Sequence, residues 1–537
     1  MPWVQIYTPV AGSLGLSALV AAIPLVVIFV CLALLRMKAH KAGLLAVASA
    51  AAVAVGVWGM PAKLAALATL QGAAFGLFPV FYIVITTLFL YNITVKGGQF
   101  EIIRASLAGV TGDRRLQALL IAFCFGAFIE GAAGFGTPVA IAGATLVGLG
   151  FRPLYAAGVC LVANTAPVAF GAIGIPVVAL AGVMGYGDDG MMKLSTMVGR
   201  QLPFLSVFIP FYVIMIMVGW KKTIEVLPAV LTCGITFALA QWATASYLGP
   251  YLPDIIASLA AIVALVLLLK VWHPKENWTF DHEPESAGKQ AHHYTAGQVF
   301  RAWAPYLALT VMVLLWGIPS IKKGLDKSTV EIPVSGLHNA IVKKVAKPED
   351  ALKKTGAALA EIDKQIAALS PGDPQQGEVL ARLTELRELE VQLQQIEQGM
   401  AGQGAVLSEE RFKACELVSG KLAETQKLCK ALVAANAVPA GQFKPLDKAM
   451  ADQLPIKVAA KYKFNYMSAA GTAILIAAFL SALICGVGLG DTFRILGKTL
   501  YDLRFPAVTV ASVLGLAYVM NASGMTNCLG LVFTKTG

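Results

Sequence analysis

Long apolar runs separated by short charged stretches dominate this chain. Many of these runs approach the roughly 20 apolar residues that a helix needs to cross a bilayer core. They lie at about 14–35, 42–60, 71–94, 203–219, 224–246, 253–271, 302–317, 466–486 and 505–520. Only helices and closed barrels satisfy every backbone group in lipid, so the pattern predicts an all-α polytopic membrane protein. Residues 61–70 are expected to form an amphipathic connection, and 185–200 an external loop.

The composition supports this prediction, because 57% of the 537 residues are hydrophobic and only 14% are charged. A soluble domain carries about 25% charged residues. Lys and Arg follow the first span as Arg36, Lys38 and Lys41, and loops of this kind face the cytoplasm. The N-terminus is therefore predicted to be external. We assign the net charge of +11 to cytoplasmic loops and lipid headgroups, not to a nucleic-acid partner.

One apolar region is interrupted by a glycine-rich stretch at 125–141, with the sequence FGAFIEGAAGFGTPVAI. Its apolar flanks, 116–125 and 139–151, are each too short to span a bilayer. Non-helical backbone survives at membrane depth only where protein or a wet cavity supplies hydrogen-bond partners. Positive residues lie on both sides, so 116–151 is predicted to be a re-entrant hairpin that opens to the cytoplasm. Broken helices of this kind form substrate sites in secondary transporters.

A second interruption lies in the apolar segment 155–183, at Asn164-Thr165-Ala166-Pro167. Proline lacks the N–H donor of a helix, and Asn164 and Thr165 place polar atoms at membrane depth. These two residues and Thr137 are candidates to hydrogen-bond a carboxylate or hydroxyl of a substrate. Ordinary hydrogen bonds between helices explain them about as well.

The glycines of the first break are candidates for backbone contact with a ligand. Gly131, Gly134 and Gly136 have no Cβ to keep a ligand away. The half-helix that begins near Thr137 would present free N–H groups and the positive end of its dipole, which suits a small carboxylate. The alternative is that the glycines only allow tight helix packing. Their position between two half-spans, beside the second break, favours a binding site.

Glu130 is the one acid that the sequence places deep in an apolar segment. Ionisable residues at this depth are costly and are functional candidates. Desolvation favours the neutral form of a carboxyl, which would let Glu130 carry a proton. The alternative is that Glu130 stays ionised and braces the hairpin tip by accepting hydrogen bonds from backbone N–H groups.

A charged, soluble segment interrupts the membrane pattern between residues 349 and 455. Leu352, Leu359 and Ile366 repeat every seven residues, as in packed helices. A turn at 370–377 (SPGDPQQG) then predicts a helical hairpin, and a third helix is expected at about 408–434. The chain thus divides into a membrane domain over 1–348, an external helical insert over 349–455 and a continued membrane domain over 456–537. We interpret the insert as a surface addition that carries no chemistry, with a partner-binding module as the alternative.

The sequence offers no pattern for enzyme chemistry. It contains no intramembrane His/Cys/Asp cluster for a metal, no GxSxG nucleophile elbow and no phosphate-binding loop. We therefore expect no enzyme activity, no metal and no cofactor.

Several stretches resemble the L-lactate permease family. Residues 125–141 look like its hallmark, and GFRPLYAAGV (150–159), ANTAPVAFGAIGIP (163–176), VGRQLPF (198–204) and SAAGTAI (468–474) follow in order. The resemblance covers nearly all of 1–348 and about 456–537. It implies proton-coupled uptake of lactate, with glycolate as a second substrate, in a bacterial inner membrane. It also implies an ion-transporter fold of inverted repeats, each holding a re-entrant hairpin and often working as an elevator.

Two features depart from that family. The insert at about 349–455 is absent from it, and family members continue past the position of Gly537 through further spans. Those spans carry a second glycine- and serine-rich hairpin with an acid and an asparagine. We therefore expect the second repeat to be truncated in this sequence.

The sequence predicts a secondary transporter that moves L-lactate, D-lactate, glycolate or a similar 2-hydroxy-monocarboxylate together with a proton. Glu130 is the expected proton carrier, and a homo-oligomer is compatible with this prediction. One alternative is a sodium-coupled transporter of another small organic anion. The other is a membrane protein whose external helices bind a partner.

Overall fold

A computed structural model describes residues 2–134, 136–280, 294–343, 348–367, 369, 374–400, 408–434 and 457–536. The helices before the insert are α1 (Leu14–Leu34), α2 (Ala39–Gly56), α3 (Ala62–Lys96), α4 (Gln99–Ala108), α5 (Arg114–Ala132), α6 (Thr137–Gly148), α7 (Pro153–Ala163), α8 (Gly171–Met184), α9 (Asp188–Ile224), α10 (Leu227–Tyr247), α11 (Pro253–Val271), α12 (Ala296–Gly317) and α13 (Pro319–Asp326). The later helices are α14 (Pro348–Ala367), α15 (Pro374–Gly399), α16 (Glu409–Ala434), α17 (Ala470–Cys485), α18 (Leu489–Asp502), α19 (Arg504–Ser523) and α20 (Met525–Thr536).

Within these described ranges, 9 helices are long and apolar enough to cross a membrane. The number rises to 10 if the bent pair Pro153–Ala163 and Val168–Met184 forms one span. Strand is confined there to two small two-stranded sheets. The chain is therefore an all-α, multi-pass membrane protein, as the hydropathy pattern predicted.

Two predicted connections are helical instead. Residues 62–70 open the 35-residue helix α3, because Ala and Leu dominate that stretch and no proline interrupts it before Pro79. The predicted external loop 185–200 contains the first turns of the 37-residue helix α9. Asp188 and Asp189 lie in its first turn, where the helix dipole favours acids. Lys322 of α13 also pairs with Asp188, with 2.6 Å between Nζ and Oδ1.

The break predicted at 125–141 is narrower than expected. α5 continues to Ala132, so the non-helical part is 133–136, of which Phe135 is not described. α5 has 19 residues, so the expectation that neither flank could span was wrong for the first flank. Because α5 is surrounded by protein, Gly126 and Gly131 remain helical there. α6 packs back against α5, and the two helices form a hairpin.

The ends of the insert are held side by side by one small sheet and one β-bridge. The strands are β1 (Trp3–Val4), β2 (Val330–Pro333), β3 (Ile341–Val342) and β4 (Lys461–Phe464). β1 pairs in parallel with β3, β2 pairs antiparallel with β4, and a bridge joins Val342 to Lys457. α14, α15 and α16 pack around a core of their own that includes Ile362, Leu386 and Val418. Of the turn predicted at 370–377, residues 370–373 lie outside the described residues.

Candidate functional site

The first arm of the hairpin, α5, is enclosed by protein along its whole length. Phe128 packs edge-on against Trp303 and Tyr306 of α12, with ring centroids 4.9 and 4.7 Å away. Aromatic pairs of this geometry add to the stabilisation from burial alone. They fix the rotation of the last turn of α5 and, with it, the direction of Glu130 two residues later.

Glu130 is 6% exposed and points at the second break of the membrane domain. Its Oε2 accepts a hydrogen bond from Asn164 Nδ2 at 3.1 Å. Its other oxygen lies against Gly171, where a Cβ would come within 2.2 Å of Oε1. Only glycine at position 171 therefore leaves the carboxyl group in this place.

The second break is longer than the predicted 164–167, because the backbone becomes regular only after Gly174. The helical segments before and after the break, Pro153–Ala163 and Val168–Met184, are bent by 71° relative to each other. The second segment opens with a short 3-10 turn at Val168–Phe170. Ala172, Ile173 and Gly174 have φ of 44°, 56° and 70°, in the left-handed region. Ala and Ile cost about 1–3 kcal/mol each in such a conformation, and strain of this kind clusters at functional sites.

The two breaks pack against each other and against the start of α11. A Cβ on Gly134 would lie 2.8 Å from the Cβ of Ala172, and one on Gly131 would lie 2.8 Å from the Cβ of Asp254. Gly174 is similarly close to the carbonyl of Pro250. Glycine at these three positions allows contacts that any larger residue would prevent.

Asp254 is a second buried acid beside the hairpin tip, so the prediction that Glu130 is the one deep acid was wrong. It is 1% exposed, and its Oδ1 accepts a hydrogen bond from Gln241 Nε2 at 3.1 Å. Gln241 also accepts a hydrogen bond from Ser206 at 2.8 Å. Asp254 could not be singled out from the sequence, because it follows Pro253 in the first turn of an apolar helix, where acids are common. Gln241, an amide deep in an apolar helix, was the available signal.

Two oxygens of this polar cluster have no hydrogen-bond partner among the described residues. They are Asn164 Oδ1 and Asp254 Oδ2, and both are buried. Buried polar atoms are nearly always satisfied in native proteins, so unpaired ones mark a place where water, an ion, a proton or a ligand completes the structure. The arrangement can therefore bind protons and present oxygen acceptors.

The structure brings part of the predicted site together. Glu130 and Asn164 touch, while Gly131 and Gly134 contribute close packing. The remaining three predicted residues lie at the accessible side of the tip: Gly136 and Thr165 are exposed and Thr137 is half-buried. The Thr137 hydroxyl donates a hydrogen bond to the carbonyl of Gly134, which closes the turn into α6.

A different charged cluster lies at the opposite end of α5. Arg115 is fully buried, and its guanidinium donates to Asp113 Oδ2 at 2.7 Å and to Glu225 Oε2 at 2.8 Å. It also donates to the carbonyls of Lys222 and Glu276, at 2.9 and 3.1 Å. Hydrogen bonding from Arg115 lowers the pKa of Glu225. The cluster anchors the hairpin to α9 and to the chain after α11.

The part of the chain that the structure describes contains no group of three or more His, Cys, Asp or Glu that could hold a metal ion. The site consists of a hairpin tip, a strained broken helix and two buried acids, all within a multi-pass membrane domain. Such a combination defines the class of membrane transporters with broken helices at the substrate site.

The model of the L-lactate permease family matches residues 17–355 and 440–537, so the chain belongs to that family. This is a family of transporters and not of enzymes. The chain is 42% identical over 549 residues to the L-lactate permease of Bacillus subtilis (strain 168), covering 100% of this chain and 80% of that protein. It is 39% identical over 548 residues to the glycolate permease GlcA of Escherichia coli (strain K12), covering 100% and 79%. No solved structure matches.

Proposed function

We propose that the chain is a proton-coupled transporter of L-lactate and similar 2-hydroxy-monocarboxylates, including glycolate and D-lactate, in a bacterial inner membrane. Membership of the L-lactate permease family supports this substrate class, as do the relatives named for lactate and glycolate. The observation that carries proton coupling is the buried Glu130, which is bonded to a neutral amide at the hairpin tip.

Glu130 is the proposed proton carrier because its environment favours a neutral side chain. Its hydrogen-bond partner is Asn164, and no cation of the described residues lies in contact with it. An ionised carboxylate without a counter-charge is costly away from water. Proton binding would remove that cost, and proton release would restore it. The substrate-bound and substrate-free states of the transport cycle can therefore differ in the protonation of Glu130.

The carboxylate of the substrate is assigned to the start of α6. Gly136 is exposed with φ of 82°, and a Cβ there would meet nothing within 4 Å. Open space therefore lies beside the first turn of a 12-residue helix, whose N-terminal end attracts anions. We assign the substrate hydroxyl to Thr165 and to Asn164 Oδ1 across the tip, since both lie at the second break.

We also propose the membrane orientation and domain organisation expected from the sequence. Residues 116–151 would open to the cytoplasm as one hairpin of an inverted-repeat fold, within a membrane domain over 1–348 and 456–537. Residues 349–455 would form an external insert. The family model leaves 356–439 unmatched, which supports the insert as an addition to the transporter.

The experiment is uptake of labelled L-lactate into proteoliposomes that hold the full chain. An imposed pH gradient, acid outside, should drive accumulation, whereas an imposed sodium gradient should not. Accumulation driven by sodium alone would select the sodium-coupled alternative. Glu130→Gln should lose pH-driven accumulation but keep exchange of internal for external lactate. The matched control, Glu101→Gln, changes an exposed acid in the first turn of α4 and should behave as wild type.

A further inference from the structure

Asp254 lies next to the proposed proton carrier in space, although 124 positions separate the two residues in the sequence. Asp254 contacts Gly131, the residue after Glu130, so closely that a Cβ on Gly131 would come within 2.8 Å of the Asp254 Cβ. The contact between α5 and α11 thus places Asp254 against the residue that follows Glu130. Two nearby carboxyl groups disfavour each other's ionisation, so they bind protons more readily as a pair than either does alone.

Gln241 fixes which oxygen of Asp254 is available. Its Nε2 donates to Asp254 Oδ1 at 3.1 Å and to the carbonyl of Ala166 at 3.4 Å, and the Ala166 carbonyl can only accept from it. Its Oε1 accepts from the Ser206 hydroxyl at 2.8 Å. All three contacts agree on one orientation of the amide. Asp254 Oδ1 is therefore occupied as an acceptor, which leaves Oδ2 free.

Asp254 Oδ2 has no hydrogen-bond partner among the described residues, and the side chain is 1% exposed. The groups that face Asp254 supply no positive charge. α5 presents Glu130, and α10 presents Gln241. The other titratable groups on these two helices are Arg114 and Arg115 at the opposite end of α5, Tyr247 at the last position of α10, and the thiols of Cys124 and Cys233, whose Sγ atoms lie 3.2 Å from each other. Tyr251 precedes α11 and is also neutral.

From this geometry we infer that Asp254 is a second proton-binding carboxyl of the coupling site, which titrates together with Glu130, and that Gln241 is its positioning residue. This inference rests on the proposed function. External water supplies the proton, a carboxylate oxygen of the pair binds it, and cytoplasmic water receives it after transport. No bond of the substrate forms or breaks. The two carboxyls titrate as a pair, so removing either one changes the protons bound per cycle.

The test is lactate transport by full-length Asp254→Asn in proteoliposomes, beside wild type and the control Asp189→Asn. Asp189 is an exposed acid in the first turn of α9, so its replacement should leave transport unchanged. In Asp254→Asn we expect lactate exchange within about threefold of wild type and pH-driven accumulation reduced at least tenfold. The pH dependence of exchange should also flatten. Wild-type accumulation and an unchanged pH profile in Asp254→Asn would overturn the inference.

A second variant keeps the inference testable if Asp254→Asn does not fold. Gln241→Met removes the positioning amide while retaining both carboxyls, so the pH midpoint of exchange should shift by about one unit with Asp254 present. The conservative Asp254→Glu should recover part of the pH-driven accumulation. An unshifted midpoint in Gln241→Met would contradict the inference. Failure of the proposed function has a different signature, because wild type and every variant would then ignore the pH gradient.

Discussion

The two ends of α5 both bury charge, but they treat it in opposite ways. At the end that begins with Arg114, Arg115 meets Asp113 and Glu225, and it also donates to the backbone carbonyls of Lys222 and Glu276. At the hairpin tip, Glu130 and Asp254 meet only amides, and Asp254 leaves one oxygen unpaired. The first cluster is complete within the protein. The polar groups at the tip need a partner from outside the protein, such as a proton. The Arg115 cluster is therefore a structural anchor, whereas the tip is a candidate functional site.

The largest effect on stability should come from breaking the anchor. Arg115→Met leaves the Asp113 carboxyl, which is 0% exposed, without its cation. Removing one partner of a buried pair costs about 3–5 kcal/mol. We expect a large fall in the thermal unfolding midpoint of detergent-solubilised protein and loss of monodisperse material. Arg104→Met is the control, because its pair with Glu101 lies at the surface and contributes at most about 1 kcal/mol. Equal stability of the two variants would contradict the anchor.

A smaller but more selective effect is expected at the tip. Gly171→Ala places a Cβ 2.2 Å from Glu130 Oε1, so the carboxyl must move away from its present position. Small-to-large changes in packed regions cost about 1–3 kcal/mol, which leaves the protein folded. We expect pH-driven lactate accumulation to fall about tenfold while folding is retained.

Gly126→Ala provides the matched control for that change. Gly126 lies in α5, the arm that carries Glu130, and a Cβ there would meet only the carbonyl of Ile121, at 3.6 Å. Its accumulation should stay near wild type. If Gly126→Ala and Gly171→Ala transport equally well, the place of the Glu130 carboxyl does not matter for coupling.

Loss of Glu225, the half-exposed partner of Arg115, should cost less stability than loss of the buried Arg115. Hydrogen bonding from Arg115 lowers the pKa of Glu225 below its ordinary 4.5. The pair therefore stabilises the fold fully above pH 4.5, and this contribution is lost as the pH falls through the lowered pKa. Glu225→Gln should be less stable than wild type at pH 7, by less than Arg115→Met, and the gap should shrink below pH 4.5. Thermal midpoints across pH measure this, and a gap that widens in acid would contradict it.

The smallest effect on transport is expected from removing the insert. The bridge between Val342 and Lys457 holds its ends together, so residues 349–455 can be replaced by a short Gly-Ser linker. The insert helices have their own core, apart from the hairpin. Lactate uptake by the deletion variant should stay within about twofold of wild type. Loss of uptake in a monodisperse deletion protein would show that the insert takes part in transport.

The sequence was informative where chemistry is local and silent where it depends on contacts between distant helices. Proline, glycine and a lone acid in apolar sequence placed Glu130 and Asn164 near two breaks, because these residues disrupt helices or resist burial wherever they occur. The meeting of Asp254 with Gly131, and of Gly171 with the Glu130 carboxyl, depends on how α5, α8 and α11 pack. The same limit explains the narrower first break, since the surrounding protein keeps Gly126 and Gly131 helical.

The measurement that tests the central claim most directly is proton movement during lactate uptake. Proteoliposomes that contain a trapped pH indicator are given an inward lactate gradient without an initial pH gradient. Wild type should acidify the lumen as lactate enters, whereas Glu130→Gln should exchange labelled lactate without acidification. Acidification at the wild-type rate in Glu130→Gln would show that the hairpin tip does not carry the proton.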